Sequence, residues 1–113
     1  MDYVKSYQMM KMSDIEEFEY INKLYELYKN LLTPRQIEIM DKYYLYNLSL
    51  SEIADILHIT RTAISDALNH AKNNLFEYEN KLKLNEKYSN LNKLLDEENL
   101  DEEIKEKIFK ELY

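Results

Sequence analysis

The segment SLSEIADILHITRTAISDALNHAK, Ser49 to Lys72, decides the fold. It opens on a capping box, Ser49-Leu50-Ser51-Glu52, in which the Ser49 hydroxyl can accept the N3 amide while Glu52 reaches back. Ile53, Ala54, Ile56 and Leu57 follow at helical spacing, which predicts a first helix of about two turns. The turn His58-Ile59-Thr60 leads to a second helix, capped by Thr60, with Ala63, Ile64, Ala67, Leu68 and Ala71 on its apolar faces. Each position has a job in a helix-turn-helix. Ala54 is small enough for two helices to cross closely, a buried Ile59 is expected to seal the corner, and Ile64 and Leu68 form the inner face with Ala63 at its edge. The outer residues Arg61, Thr62, Ser65, Asp66 and Asn69 stay polar, as a helix entering a groove requires. Arg and Asn are the types suited to guanine and adenine edges. A compact helical hairpin satisfies the same apolar spacing, so this pattern alone leaves both architectures open.

The rest of the chain narrows the choice. It has 113 residues, one Pro, no Gly and no Cys, a length that fits one domain. Without Gly there is no P-loop and no GxGxxG, because both bring phosphate against backbone that carries no Cβ. Tight hairpin turns lean on Gly as well, which argues against a β fold. Disulfides, thiolate zinc sites and cysteine nucleophiles are all excluded. His58 and His70 are the only imidazoles, too few for a histidine-based metal site. No metal and no cofactor are therefore expected. No nucleophile–base pair is visible either, and the reading is of a protein that is not an enzyme. Neither a membrane span nor a secretory signal is apparent, so a cytoplasmic location is expected.

Further helix starts are legible on both sides. Ser13-Asp14-Ile15-Glu16 is a capping box, followed by a stripe of Phe18, Ile21, Tyr25, Tyr28 and Leu32, widened by Leu24, Leu27 and Leu31. Thr33-Pro34-Arg35-Gln36 is another, with Pro at N1 where its missing N–H costs nothing. Its core face is expected to be Ile37, Met40 and Tyr44, with Tyr43 beside it and Asn47 ending the helix in the left-handed region. No stop signal interrupts the helix begun at Thr60 before Asn85. The tail reads as two amphipathic pieces, one lined by Leu84, Tyr88, Leu91 and Leu95, the other by Leu100, Ile104, Ile108 and Leu112. The expected fold is all-α: a helix-turn-helix bundle with a long fourth helix and a C-terminal helical extension. The expected division is an N-terminal extension over 1–12, a helix-turn-helix domain over 13–85 and an acidic extension over 86–113.

Three stretches taken together, LLTPRQIEIMDKYY (31–44), LSLSEIADILHITRTAISDAL (48–68) and LFEYENKLKL (75–84), resemble the YlxM family. The features that carry the resemblance include Leu31-Leu32-Thr33 with Gln36, the Tyr43-Tyr44 pair, Glu52-Ile53-Ala54, Arg61 with Ala63, Asp66, and Tyr78-Glu79 with Lys81-Leu82. These are small bacterial proteins similar to region four of sigma factors and connected with the signal recognition particle. The resemblance implies a sigma-like or winged-helix-like helix-turn-helix. It also implies a cytoplasmic, non-enzymatic regulatory role near protein targeting. Two departures stand out. The family carries Gly at the turn where this chain has His58, so a positive φ is expected there at some cost. Family members also begin nearer Met12, and Met9, Met10 and Met12 are alternative initiators, so the first eleven residues are expected to lie upstream of the start.

Charge separates the candidate functions. The net charge is −7, which argues against indiscriminate nucleic-acid binding. Residues 31–85 carry six cations and seven anions, and residues 86–113 carry five and nine. The leading expectation is a regulatory protein that engages the protein or RNA of the signal recognition particle. The alternative is a sequence-specific DNA-binding regulator. In both, the contact residues are expected to be Arg35, Arg61, Thr62, Ser65, Asn69 and Lys72. Arg61 can instead pair with Asp66 or Glu52, Asp66 repels phosphate and fits a structural or protein-contact role, and Tyr43, Tyr44 and Tyr46 either stack on bases or line the core. The apolar stripes of the terminal helices exceed what a small bundle covers, which makes a homodimer an expectation too.

Overall fold

In the computed structural model, which describes residues 13–112, six α-helices follow one another and no strand is present among the described residues. The expected extension over 1–12 lies outside the described residues. The helices are α1 (Asp14–Tyr28), α2 (Pro34–Met40), α3 (Leu50–Leu57), α4 (Arg61–Leu82), α5 (Leu84–Glu97) and α6 (Glu102–Leu112). They fall into two units, one ending at Leu82 and one beginning at Lys83.

The capping boxes set the starts. At Thr33 the hydroxyl accepts from Gln36 N–H at 3.2 Å while Thr33 N–H donates to Gln36 Oε1 at 3.0 Å. Ser49 and Glu52 make the same reciprocal pair, both bonds at 3.1 Å. At Ser13 the hydroxyl accepts from Glu16 N–H and itself donates to the Glu16 carboxylate, each at 3.1 Å. The bonds from backbone N–H groups meet amides that helix geometry leaves without a partner, and a cap of this kind is worth about 1 kcal/mol.

In the first unit α4 is the central element, packed against α1, α2 and α3. Leu24, Ile53, Ile64 and Leu75 are fully buried, each contributing about 1.5–3 kcal/mol relative to exposure. Two hydrogen bonds fasten the carboxyl-terminal half of α4. Tyr28, itself buried, donates to Glu79 Oε1 at 2.7 Å, and Tyr78 donates to the Leu31 carbonyl at 3.2 Å. The Tyr78-Glu79 pair is therefore structural.

Several expectations about the core need correction. Helix α2 passes into a widened π turn over Asp41–Leu45, closed by Tyr46 N–H to Asp41 O at 3.0 Å. That extra residue shifts the helical phase, so Tyr44 leaves the line of Met40 and is only half-buried; ahead of the π turn, Ile39 is buried with Met40 whereas Ile37 is half-buried. Phe18 is 40% exposed and lies against the Tyr44 ring at 4.9 Å. Ile56 is exposed, and Ile59 is half-buried where a sealed corner was expected. Helix α4 stops at Leu82, before Asn85, because Lys83 takes the left-handed region at φ 55°. In α6 the covered position is Lys105, whereas Ile104 and Leu112 of the expected stripe are exposed. Lys105 bonds Asp96 and Glu102, and these bonds hold its ammonium above the ordinary lysine value.

Candidate nucleic-acid interface

The turn between α3 and α4 is built as the sequence implies. His58 sits at φ 57°, ψ 39°, closing α3, and Ile59 N–H returns to the Ala54 carbonyl at 3.1 Å. This six-to-one bond across a left-handed residue is a Schellman motif, which satisfies carbonyls that the helix end would otherwise leave open. Thr60 Oγ1 then accepts from Ala63 N–H at 3.0 Å, so only Ile59 and Thr60 separate the His58 cap from the start of α4. Asn47, also left-handed at φ 54°, ends the π turn ahead of Ser49.

Helix α4 buries Ile64, Leu68, Ala71 and Leu75 on one side. Thr62, Asp66, Asn69 and Asn73 fall on the opposite side by helical spacing, and all four are exposed. Asn73 was not among the expected contacts, although its spacing from Thr62 and Asn69 marks the same stripe. Arg61, at the first position of α4, is exposed and makes no ion pair among the described residues. Neither expected partner takes it: Glu52 is engaged with Ser49, and Asp66 has no ion pair among the described residues. Ser65 is half-buried at the flank.

The other expected residues lie elsewhere. Arg35 is exposed in the first turn of α2 and bonds Glu38 at 3.1 Å. Lys72 is half-buried beside α1 and the π turn, where it lines a half-open pocket of about 340 Å³ with Glu17, Tyr43 and Tyr44. Tyr43 and Tyr44 pack edge to face at 5.0 Å between centroids, the rim role rather than a free stacking platform; Tyr46 is exposed. Behind this face a buried polar cluster fixes the π turn. Tyr25 donates to Asp41 Oδ1 at 2.6 Å, and Lys29 reaches the same oxygen at 3.3 Å. Burial first, then the Asp41 hydrogen bond and charge, push the Tyr25 phenol above its ordinary pKa.

A short capped helix, a left-handed turn and a longer second helix with a polar outer stripe define a helix-turn-helix protein. The chain belongs to the UPF0122 family of YlxM / p13-like helix-turn-helix proteins, which it matches over residues 15–112. A UPF0122 protein of Clostridium acetobutylicum is 39% identical over 95 residues, covering 84% of this chain and 77% of its own length. Those of Caldanaerobacter subterraneus and Desulforamulus reducens are 41% and 43% identical over 81 residues, each covering 72% of this chain and 69% of their own. Among the described residues no helix is long and apolar enough to cross a membrane, and no cluster of side chains is placed to hold a metal ion.

Proposed function

We propose that this is a non-enzymatic regulatory protein that binds nucleic acid through its helix-turn-helix, with the amino-terminal half of α4 as the reading element. The observation that carries this reading is Arg61. Its guanidinium stands exposed at the start of α4, without an ion pair among the described residues, beside a turn held rigid by His58 and Thr60. A long cation kept free on a well-capped helix is available to a ligand. Thr62, Ser65 and Asn69 complete the contact in one line of approach, whereas Arg35, bonded to Glu38, and Lys72, half-buried beside α1, stand apart from it. The YlxM resemblance supports the signal recognition particle in the cytoplasm as the proposed partner, through its RNA or its protein. The near balance of six cations and seven anions over residues 31–85 supports a ligand not held by a basic patch alone.

A second reading, a sequence-specific DNA regulator, is favoured by one observation: Arg61 and Asn69, the types that read guanine and adenine, are both exposed on α4. Fluorescence anisotropy separates the two, using genomic DNA fragments and the particle's RNA at about 50 and 200 mM salt. Arg61→Ala is expected to cost about 1–3 kcal/mol in either case and to relax base preference if Arg61 reads guanine. Affinity purification from the native cell tests the protein partner. If neither nucleic acid binds and the targeting particle is reproducibly absent from the purification, the proposal fails.

A further inference from the structure

The unit beginning at Lys83 does not close its own core. The chain has no Cys, and no metal-holding cluster occurs among the described residues. Leu95 is the one buried apolar side chain of its described residues, while Leu94 and Ile104 remain 56% and 47% exposed.

The exposed apolar residues share a side. Helices α5 and α6 run antiparallel: Lys105, near the start of α6, bonds Asp96 near the end of α5, and Tyr88, near the start of α5, donates to the Leu112 carbonyl at 3.0 Å. Leu95 and Lys105 point inward. One step back from each, at the 3.6-residue repeat of an α-helix, turns Leu94 and Ile104 to the same side of the hairpin. Leu91 and Ile108, both half-buried, lie beside them. The other side carries an open groove lined by Asn92, Asp96, Glu102 and Glu106 together with the half-buried ring of Phe109. The side with Leu94 and Ile104 carries the exposed aliphatic residues, while carboxylates rim the groove on the other.

Charge is separated along its length. The closed end, residues 96–103, carries six carboxylates, of which Asp96 and Glu102 are paired with Lys105, so an excess of negative charge remains there. The open end carries Lys83, Lys87, Lys107 and Lys110 against Glu86 and Glu111. Ion pairs Lys83–Glu86 and Lys107–Glu103 are exposed, and pairs of that kind leave the long-range imbalance in place. Two hairpins laid side by side in parallel would stack carboxylates on carboxylates. Laid antiparallel, each acidic end meets the lysines of the other copy.

We propose that the apolar side of the α5–α6 hairpin is a self-association surface, on which two copies of this chain pair head to tail as an antiparallel four-helix bundle. This closes the core by the ordinary packing of such bundles and gives a two-fold, self-complementary interface. The occupant is a second copy because the pattern complements itself in both apolarity and charge.

The test is light scattering or sedimentation equilibrium on the full chain without nucleic acid, at about 10–100 µM, a range typical of modest dimers. A dimer mass is expected. The double variant Leu94→Glu/Ile104→Glu is expected to be monomeric with unchanged helicity. Lys87→Glu, which leaves the apolar side intact, is expected to weaken the dimer about 2- to 10-fold, as two exposed charge contacts reverse. A wild-type monomer throughout that range overturns the proposal and leaves the hairpin to a different protein. A dimer that survives the double variant overturns it also, and full-strength association of Lys87→Glu overturns the head-to-tail pairing. None of these outcomes depends on whether α4 binds nucleic acid.

Discussion

His58→Gly is predicted to stabilise the protein. His58 holds φ 57° and ψ 39° at the end of α3, where its Cβ crowds the following carbonyl at a cost of roughly 1–2 kcal/mol. Glycine removes that crowding. Its greater freedom in the unfolded chain returns about 0.5–1 kcal/mol of the gain, leaving a net stabilisation of about 0.5–1 kcal/mol. The His58 side chain is exposed and makes no hydrogen bond among the described residues, so no contact is lost in exchange. The backbone bonds of the motif, including Ile59 N–H to the Ala54 carbonyl at 3.1 Å, are the same in both proteins. For a unit of this size the gain corresponds to a rise in Tm of roughly 2–8 °C. Thermal and urea unfolding followed by circular dichroism read it directly, with His58→Val as the counter-test. A β-branched residue fits the left-handed region worst and is expected to lower stability by more than 1 kcal/mol, on the order of the left-handed penalty itself. An unchanged or lower Tm for His58→Gly would refute the argument, because it would mean that the turn does not carry that strain.

Two further outcomes are expected. Tyr25→Phe removes the hydrogen bond to Asp41 and should cost about 1–2 kcal/mol at neutral pH, measured by urea denaturation. In the wild type, the stabilisation is complete below the ordinary tyrosine pKa of about 10. Above it the unfolded phenol ionises while the folded one keeps its proton, so stability falls as pH rises. Tyr25→Phe should lack that component, and equal slopes for the two proteins between pH 9 and 11 would contradict the assigned burial. Ile64→Ala opens a cavity at the crossing of α4 with the rest of its unit, where Ile64 is fully buried. It should cost about 2–5 kcal/mol, and a loss below 1 kcal/mol would mean that the crossing collapses around the smaller side chain.

The local grammar of this protein is written in single residues. Ser13, Thr33, Ser49 and Thr60 each open a helix because a short hydroxyl beside an amide meets a need that helix geometry creates on the spot. Asn47 ends the π turn and His58 ends α3 because those types enter the left-handed region more readily than most. Such signals act over three or four residues and need no knowledge of the fold. The same holds for Thr62 and Asn69, whose spacing alone put them on the outer face of α4. Asn73 on that face carried the same signal.

What the chain alone did not disclose depends on contacts made far along it. The π turn at Asp41–Leu45 follows a part-buried cluster with Tyr25 and Lys29, and the one-residue phase shift moved Tyr44 to the rim. Lys72 shares the polar spacing of Arg61, yet it is half-buried beside α1 and the π turn. Lys105 occupies the inward position of α6 because Asp96 and Glu102 satisfy its charge there, an exchange that a stripe of Ile and Leu does not announce. Composition, beginning with the complete absence of glycine, determined that this protein would be helical and that each helix end would be capped by other means. Tertiary structure decided which polar residues are free to meet a ligand, because availability depends on which neighbours the folded chain brings within bonding distance.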